Sequence, residues 1–141
     1  MADSISPNSS QTLAIAASAL HAEQSRMRVI AENIANADST AQTPGGDPYR
    51  RQIPVFAPTT VVRGATGVKM TGVTLDTSQF KQEFNPNHPA ADAKGYVKLP
   101  NVDALTEALD MKTAQRAYDA NLNVIETQRS MQSRTLELLK R

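Results

Sequence analysis

Apolar side chains return every seven residues near both ends of this chain and lose that rhythm in between. In the first stretch Leu13, Leu20, Met27 and Ile34 stand seven apart, and Ala16, Ala17, Ile30 and Ala31 fill positions three or four later. That spacing predicts an amphipathic helix over 12–37 with a coiled-coil-like seam. Glu23 and Gln24 interrupt it where a strict heptad wants apolar groups. Thr12 is the expected N-cap. Asn33 and Asn36 mark the far end, because asparagine tolerates the left-handed conformation that closes helices. The period returns over 101–141 through Met111, Tyr118, Ile125 and Leu139, broken at Gln132, with Leu105, Leu109, Leu122 and Leu136 alongside. No Gly or Pro follows Pro100, and Asn101 is the expected N-cap of this second helix.

Residues 38–100 read differently. Six of the eight prolines fall between Pro44 and Pro89. Ile53–Val55–Ala57, Val68–Met70 and Val73–Leu75 alternate as half-buried strands do. Gly45–Gly46, Gly64, Gly67 and Gly72 are expected turn positions, and Asn85–Pro86–Asn87–His88–Pro89 a rigid loop. Residues 1–11 are polar and contain Pro7, so they are expected to be disordered. The fold class is α+β. A discontinuous helical domain (12–37 with 101–141) is expected to pair its two helices around a small irregular β-rich insert (38–100).

Composition changes this picture in one respect. Leu, Ile, Val and Phe make up about a fifth of the chain, the level at which a core becomes thin, and Trp is absent. Net charge is only +1, which separates the chain from typical disordered sequences. The reading is a protein that folds fully only when neighbours supply more buried surface. The same charge balance excludes a dedicated nucleic-acid binder. Without Cys there is no disulfide or thiolate metal site. No apolar run approaches the roughly 20 residues of a membrane span. The first twenty residues lack Lys and Arg, so a basic secretory leader is missing. Composition alone would make the chain cytoplasmic, unless a route that needs no cleaved signal exports it.

A search for chemistry finds none. His21 lies in the first helical seam as a surface or interface residue. His88 with Asp92 is too few ligands for a metal. Gly45–Gly46 lacks the Lys-Ser/Thr of a phosphate loop. Arg50–Arg51 reads as a solvated basic pair, and Asp103 and Glu107 as acids suited to a helix start. No nucleophile, base and oxyanion donor come together. No catalysis, cofactor, metal or small-molecule substrate is expected.

Three blocks resemble one known family. Ser18-Ala19-Leu20 followed by RMRVIAENIANADS at 26–39 is similar to the N-terminal motif of flagellar rod and hook proteins, whose core reads N-[IL]-A-N-A. Pro48-Tyr49-Arg50-Arg51 and FNPNHPAADAKGYVKLPNVD at 84–103 resemble a stretch particular to the proximal-rod branch. AQRAYDANLNVIETQRSM at 114–131 is similar to a C-terminal R-x-Y-x-A-N motif through Arg116, Tyr118, Ala120 and Asn121. Glu23, Arg28 and Asp119 depart from the residues frequent in the family, which bears on interface contacts.

The resemblance implies a non-enzymatic subunit of the proximal rod of the bacterial flagellar basal body. It would leave through the flagellar type III export apparatus without signal cleavage and assemble in the periplasm. Its partners would be copies of itself, other rod proteins, and the basal-body membrane ring with its adaptor. Leu13, Leu20, Met27 and Ile34 are expected to pack on Met111, Tyr118, Leu122 and Ile125, with outer faces meeting neighbouring subunits. Asn33, Asn36 and Asn121 are expected to satisfy backbone groups at helix ends or bridges. The rival reading is a cytoplasmic helical adaptor or export chaperone.

Overall fold

In a computed structural model the chain is described from residue 8 to residue 140. Residues 1–7, most of the segment expected to be disordered, lie outside the described residues. The elements are α1 (Ser9–Ala35), β1 (Gln52–Val62), β2 (Ala65–Leu75), β3 (Lys81–Phe84), β4 (Tyr96–Leu99) and α2 (Ala104–Leu139). β1 pairs with β2, and β3 with β4, in two separate two-stranded sheets. The α+β class is therefore as expected, with two terminal helices and a small β insert between them.

The helix ends correct the sequence reading. α1 starts three residues before Thr12, because Asn8 caps it. The Asn8 side-chain oxygen accepts from the Gln11 N–H (2.9 Å), and the Gln11 side-chain oxygen accepts from the Asn8 N–H (2.8 Å). This reciprocal pair satisfies two otherwise orphaned donors. At the far end, no non-glycine residue among those described has positive φ. Asn36 instead donates its side-chain amide to the Glu32 carbonyl (2.8 Å), and short i→i+3 bonds at Ala37 and Ser39 finish the helix. α2 is capped by Asp103 rather than Asn101. The Asp103 carboxylate accepts from the Thr106 hydroxyl and the Leu105 N–H. Those bonds, Thr106 first, hold its carboxyl below the usual aspartate range. Asn101 is engaged elsewhere, as described below.

The backbone divides into two compact units, and α1, α2, β1 and β2 each contribute to both. Unit 1 comprises residues up to Arg26, Phe56–Thr71 and the chain from Thr113 onward. Its buried apolar residues are small: Ala16, Ala22, Ala65 and Ala114. Small side chains let backbones approach, and Gly67 is the extreme case. A Cβ there would collide with the Ser18 side chain and with Val61. So Gly67, expected in a turn, lies within β2, against α1. The Ser18 hydroxyl donates to the Ile15 carbonyl (2.7 Å) and accepts from the Val68 N–H (3.1 Å). Gly72, also expected in a turn, is within β2 as well. Gly64 does turn the chain between β1 and β2, with φ of 79°.

Unit 2 comprises Met27–Val55 and Gly72–Lys112. β3 and β4 are antiparallel, from Lys81 opposite Leu99 to Phe84 opposite Tyr96. The last pair meets edge to face at 5.3 Å between ring centres. The loop between them is built around Asp92, whose carboxylate accepts from the Lys94 (2.8 Å) and Tyr96 (2.9 Å) N–H groups. The His88 Nδ1 is occupied by the Ala90 N–H at 3.0 Å. Both residues thus serve the loop's own backbone.

Candidate functional site

The centre of unit 2 is a polar network built on Asn33. Two side chains, Asn33 and Glu107, are 1 % and 0 % exposed. Buried amides and carboxylates are tolerated only when their bonding capacity is met, and here it is. The Asn33 oxygen accepts from the Tyr49 hydroxyl (2.8 Å) and the Gln52 N–H (2.9 Å). Its nitrogen donates to the Gln52 carbonyl (2.9 Å) and to Glu107 Oε2 (3.1 Å). The amide therefore binds both main-chain groups of Gln52, as a neighbouring strand would.

Glu107 Oε1 accepts from Arg51 Nε at 2.5 Å. The same guanidinium faces Asp76 at 3.6 Å and Asp110 at 3.8 Å. Burial works against the Arg51 charge, but the Glu107 hydrogen bond and the surrounding carboxylates outweigh it and raise the guanidinium's pKa. Burial, followed by the charges of Glu32 and Glu107, pushes the Tyr49 phenol up, so it remains a donor to Asn33. The Arg51 N–H donates to Asn101 Oδ1 (2.8 Å), while Asn101 Nδ2 donates to the Asp76 carbonyl (3.1 Å) and the Ser78 hydroxyl (2.9 Å). Arg50 lies over the Phe80 ring at 4.1 Å and donates to the Asp76 and Ser78 carbonyls (2.8 and 3.0 Å).

The network thus ties together the end of α1, the segment entering β1, the residues after β2, and the start of α2. This corrects two expectations. Arg50 and Arg51 are not a solvated pair; both are committed to fixed partners. Glu107 is not a surface acid placed for the helix dipole; it is the buried counter-ion of Arg51. Neither Tyr49 nor Glu107 stands out from the sequence as a site residue. The available signal was the pairing of PYRR with Asn33 and an acid in the first turn of α2, but nothing local in sequence links them.

The other predicted residues are placed as follows. Ile30 is buried beside Val29; Leu13, Leu20 and Met27 are half-buried on α1, as is Asn36 just beyond its end, and Ile34 is exposed. On α2, Met111, Tyr118, Asn121 and Ile125 are half-buried, while Arg116 and Leu122 are exposed. Asn121 donates to the Ala117 carbonyl of its own helix (2.8 Å). Among the described residues no helix is long and apolar enough to cross a membrane.

Two family models match the segments that carry this network. "Flagella basal body rod protein" matches residues 13–41, and "Flagellar basal body rod FlgEFG protein C-terminal" matches 93–138. Asn33 lies in the first, Asn101 and Glu107 in the second. Over nearly the whole chain, the flagellar basal-body rod protein FlgC of Agrobacterium fabrum is 46 % identical, covering 89 % of this chain and 91 % of the relative. The FlgC proteins of Escherichia coli O6:H1 (45 %; 88 % and 92 % covered) and Borreliella burgdorferi (39 %; 89 % and 94 % covered) are similar too. The chain belongs to the FlgC family of flagellar basal-body rod proteins. In this FlgC-family chain, then, the residues between the two matched segments, Tyr49 to Gln52, are what Asn33 and Glu107 hold.

Proposed function

We propose that this chain, a structural subunit of the flagellar basal-body rod, polymerises through its terminal helices into the proximal part of a torque-transmitting shaft. The observation that carries the reading is the surface of α2. Met131, Leu136, Leu138 and Leu139, in the last turns of α2, are 57–78 % exposed. Apolar side chains gathered in this way mark surfaces that other chains cover. Leu13, Leu20, Met27 and Ile34 on α1 pack on Met111, Tyr118, Leu122 and Ile125 on α2, and the outer faces of the two helices, with Arg116, meet neighbouring subunits. Contacts of this kind are heterologous and do not close, which is what generates a helical filament. The inner helical domain is then 12–37 with 101–141, and 38–100 is the β-rich insert. The role is architectural, without catalysis. The neighbours are copies of the chain, other rod proteins, and the membrane ring with its adaptor. The chain reaches the periplasm through the flagellar type III apparatus with its N-terminus uncleaved.

Replacing Leu136 and Leu139 together by Asp tests this. The expected result is normal expression, unchanged melting of the isolated protein, loss of the chain from purified basal bodies, and loss of motility. Motile cells with complete rods would sink the proposal. Fractionation also separates the chaperone alternative, since a cytoplasmic chaperone does not co-purify with the rod.

A further inference from the structure

Within unit 1 the start of α1 and the tip of the β1–β2 hairpin meet at one side chain. Gln11 Oε1 accepts from the Asn8 N–H (2.8 Å) as part of the helix cap, and Gln11 Nε2 donates to the Arg63 carbonyl (3.2 Å). An amide carries its acceptor and its donor in one plane, so the cap bond that fixes the oxygen also aims the nitrogen. Arg63 and Gly64 are the two residues between β1 and β2. Gly64 turns there with positive φ, and a Cβ on it would stand 3.1 Å from Gln11 Nε2, so the bare glycine gives the amide its room. Farther along, β2 has a tether of another kind. The Val68 N–H donates to the Ser18 hydroxyl (3.1 Å), about two turns deeper in α1, and that bond does not pass through the cap. Helix ends and exposed loop tips are the parts of a fold that open most readily, and here the two are joined through one group.

We propose that Gln11 is a latch: it holds the hairpin tip against α1 while the first turn of the helix is capped, and releases the tip when that turn frays. Coupling of this kind is reciprocal. A contact that steadies Arg63 and Gly64 also steadies the start of α1. One that frays the first turn loosens the tip, with β2 still anchored at Val68. The latch is a property of the single chain and does not rest on the polymerising reading.

Hydrogen exchange of the purified full chain, read amide by amide by NMR, separates the two bonds of Gln11. Asn8→Ala removes the cap oxygen, which serves Ser10 and Gln11 and not the hairpin. Loss of such an oxygen changes the local opening equilibrium about fivefold, so exchange should rise by about that factor over residues 11–13 and, through the latch, over residues 62–66. Gln11→Glu keeps an acceptor for the Asn8 N–H and turns the group facing the Arg63 carbonyl into a second acceptor. Exchange should then rise over residues 62–66 and stay unchanged over residues 11–13. Exchange at Val68 should not change in either variant. Faster exchange at Val68 in both would mean general loosening and would overturn the latch. So would an Asn8→Ala or a Gln11→Glu variant whose hairpin tip exchanges as in the parent.

Discussion

The surroundings of Asn33 and the last turns of α2 are built on opposite terms. Around Asn33 and Glu107, polar groups are buried, and the donors and acceptors of both side chains are engaged by partners within the same chain. Along Met131–Leu139, large apolar side chains stand in solvent. A satisfied polar network fixes one arrangement, because each partner is costly to leave alone in a low-dielectric interior. An exposed leucine row fixes nothing until something covers it. The contrast separates a part that the chain's own sequence completes from a part that, in the polymerising reading, neighbouring subunits cover.

The sharpest way to break the comparison is at Glu107. Replacing it by Ala leaves the Arg51 charge half-buried and the Asn33 amide short of an acceptor, and breaking a buried pair in this way costs about 3–5 kcal/mol. Asn33→Ala abandons both main-chain groups of Gln52, the Tyr49 hydroxyl and Glu107 Oε2, at about 3 kcal/mol or more. Denaturant midpoints of the purified protein, with hydrogen exchange across residues 48–52, report both. A variant as stable as the parent would remove the network from the account.

A smaller effect is expected in unit 1. Gly67→Ala drives a methyl group into Ser18 and Val61, an overpacking cost of about 1–3 kcal/mol. Gly72→Ala meets nothing within 4 Å and should be close to neutral. Equal thermal shifts for the two would show that β2 does not approach α1 as described.

The smallest effect is that of pH. Asp76 is held below the usual aspartate range by the Ser78 N–H, followed by the Ser78 hydroxyl, burial acting the other way, and Arg51. Asp92 is held low chiefly by the Tyr96 N–H, and Asp103 by the Thr106 hydroxyl. A depressed carboxylate contributes stability that is complete above its unfolded pKa and is lost as pH falls through its folded pKa. Melting temperature should therefore be flat near neutrality and decline below about pH 4. Asp76→Asn should flatten that decline. An identical acid profile in the variant would show that Asp76 is not part of it.

Much of the fold was legible from local pattern. Periods of seven and two located both helices and the hairpin, and three motif blocks pointed to the rod and hook proteins. The buried stripe of α1 was only half legible. A heptad through Ile34 places that residue inward, whereas the structure buries Val29, Ile30 and Asn33 and leaves Ile34 exposed, because the interior here accepts an amide and small alanines in place of a regular leucine seam. The Asn8–Gln11 box was readable from spacing, but Thr12 lay nearer the first apolar residue. Glu107 could not be read. Its burial depends on Arg51, fifty-six positions away, and an acid in the first turn of a helix already has a sufficient local reason to be there.

The most direct measurement is hydrogen exchange followed by mass spectrometry on the dilute monomer and on the same chain within purified basal bodies. Amides around Arg51 and Gln52 should be protected in both states, and those of Met131–Leu139 strongly protected only after assembly. Equal protection of the α2 terminus in the monomer and the rod would contradict the claim that neighbouring subunits complete this chain.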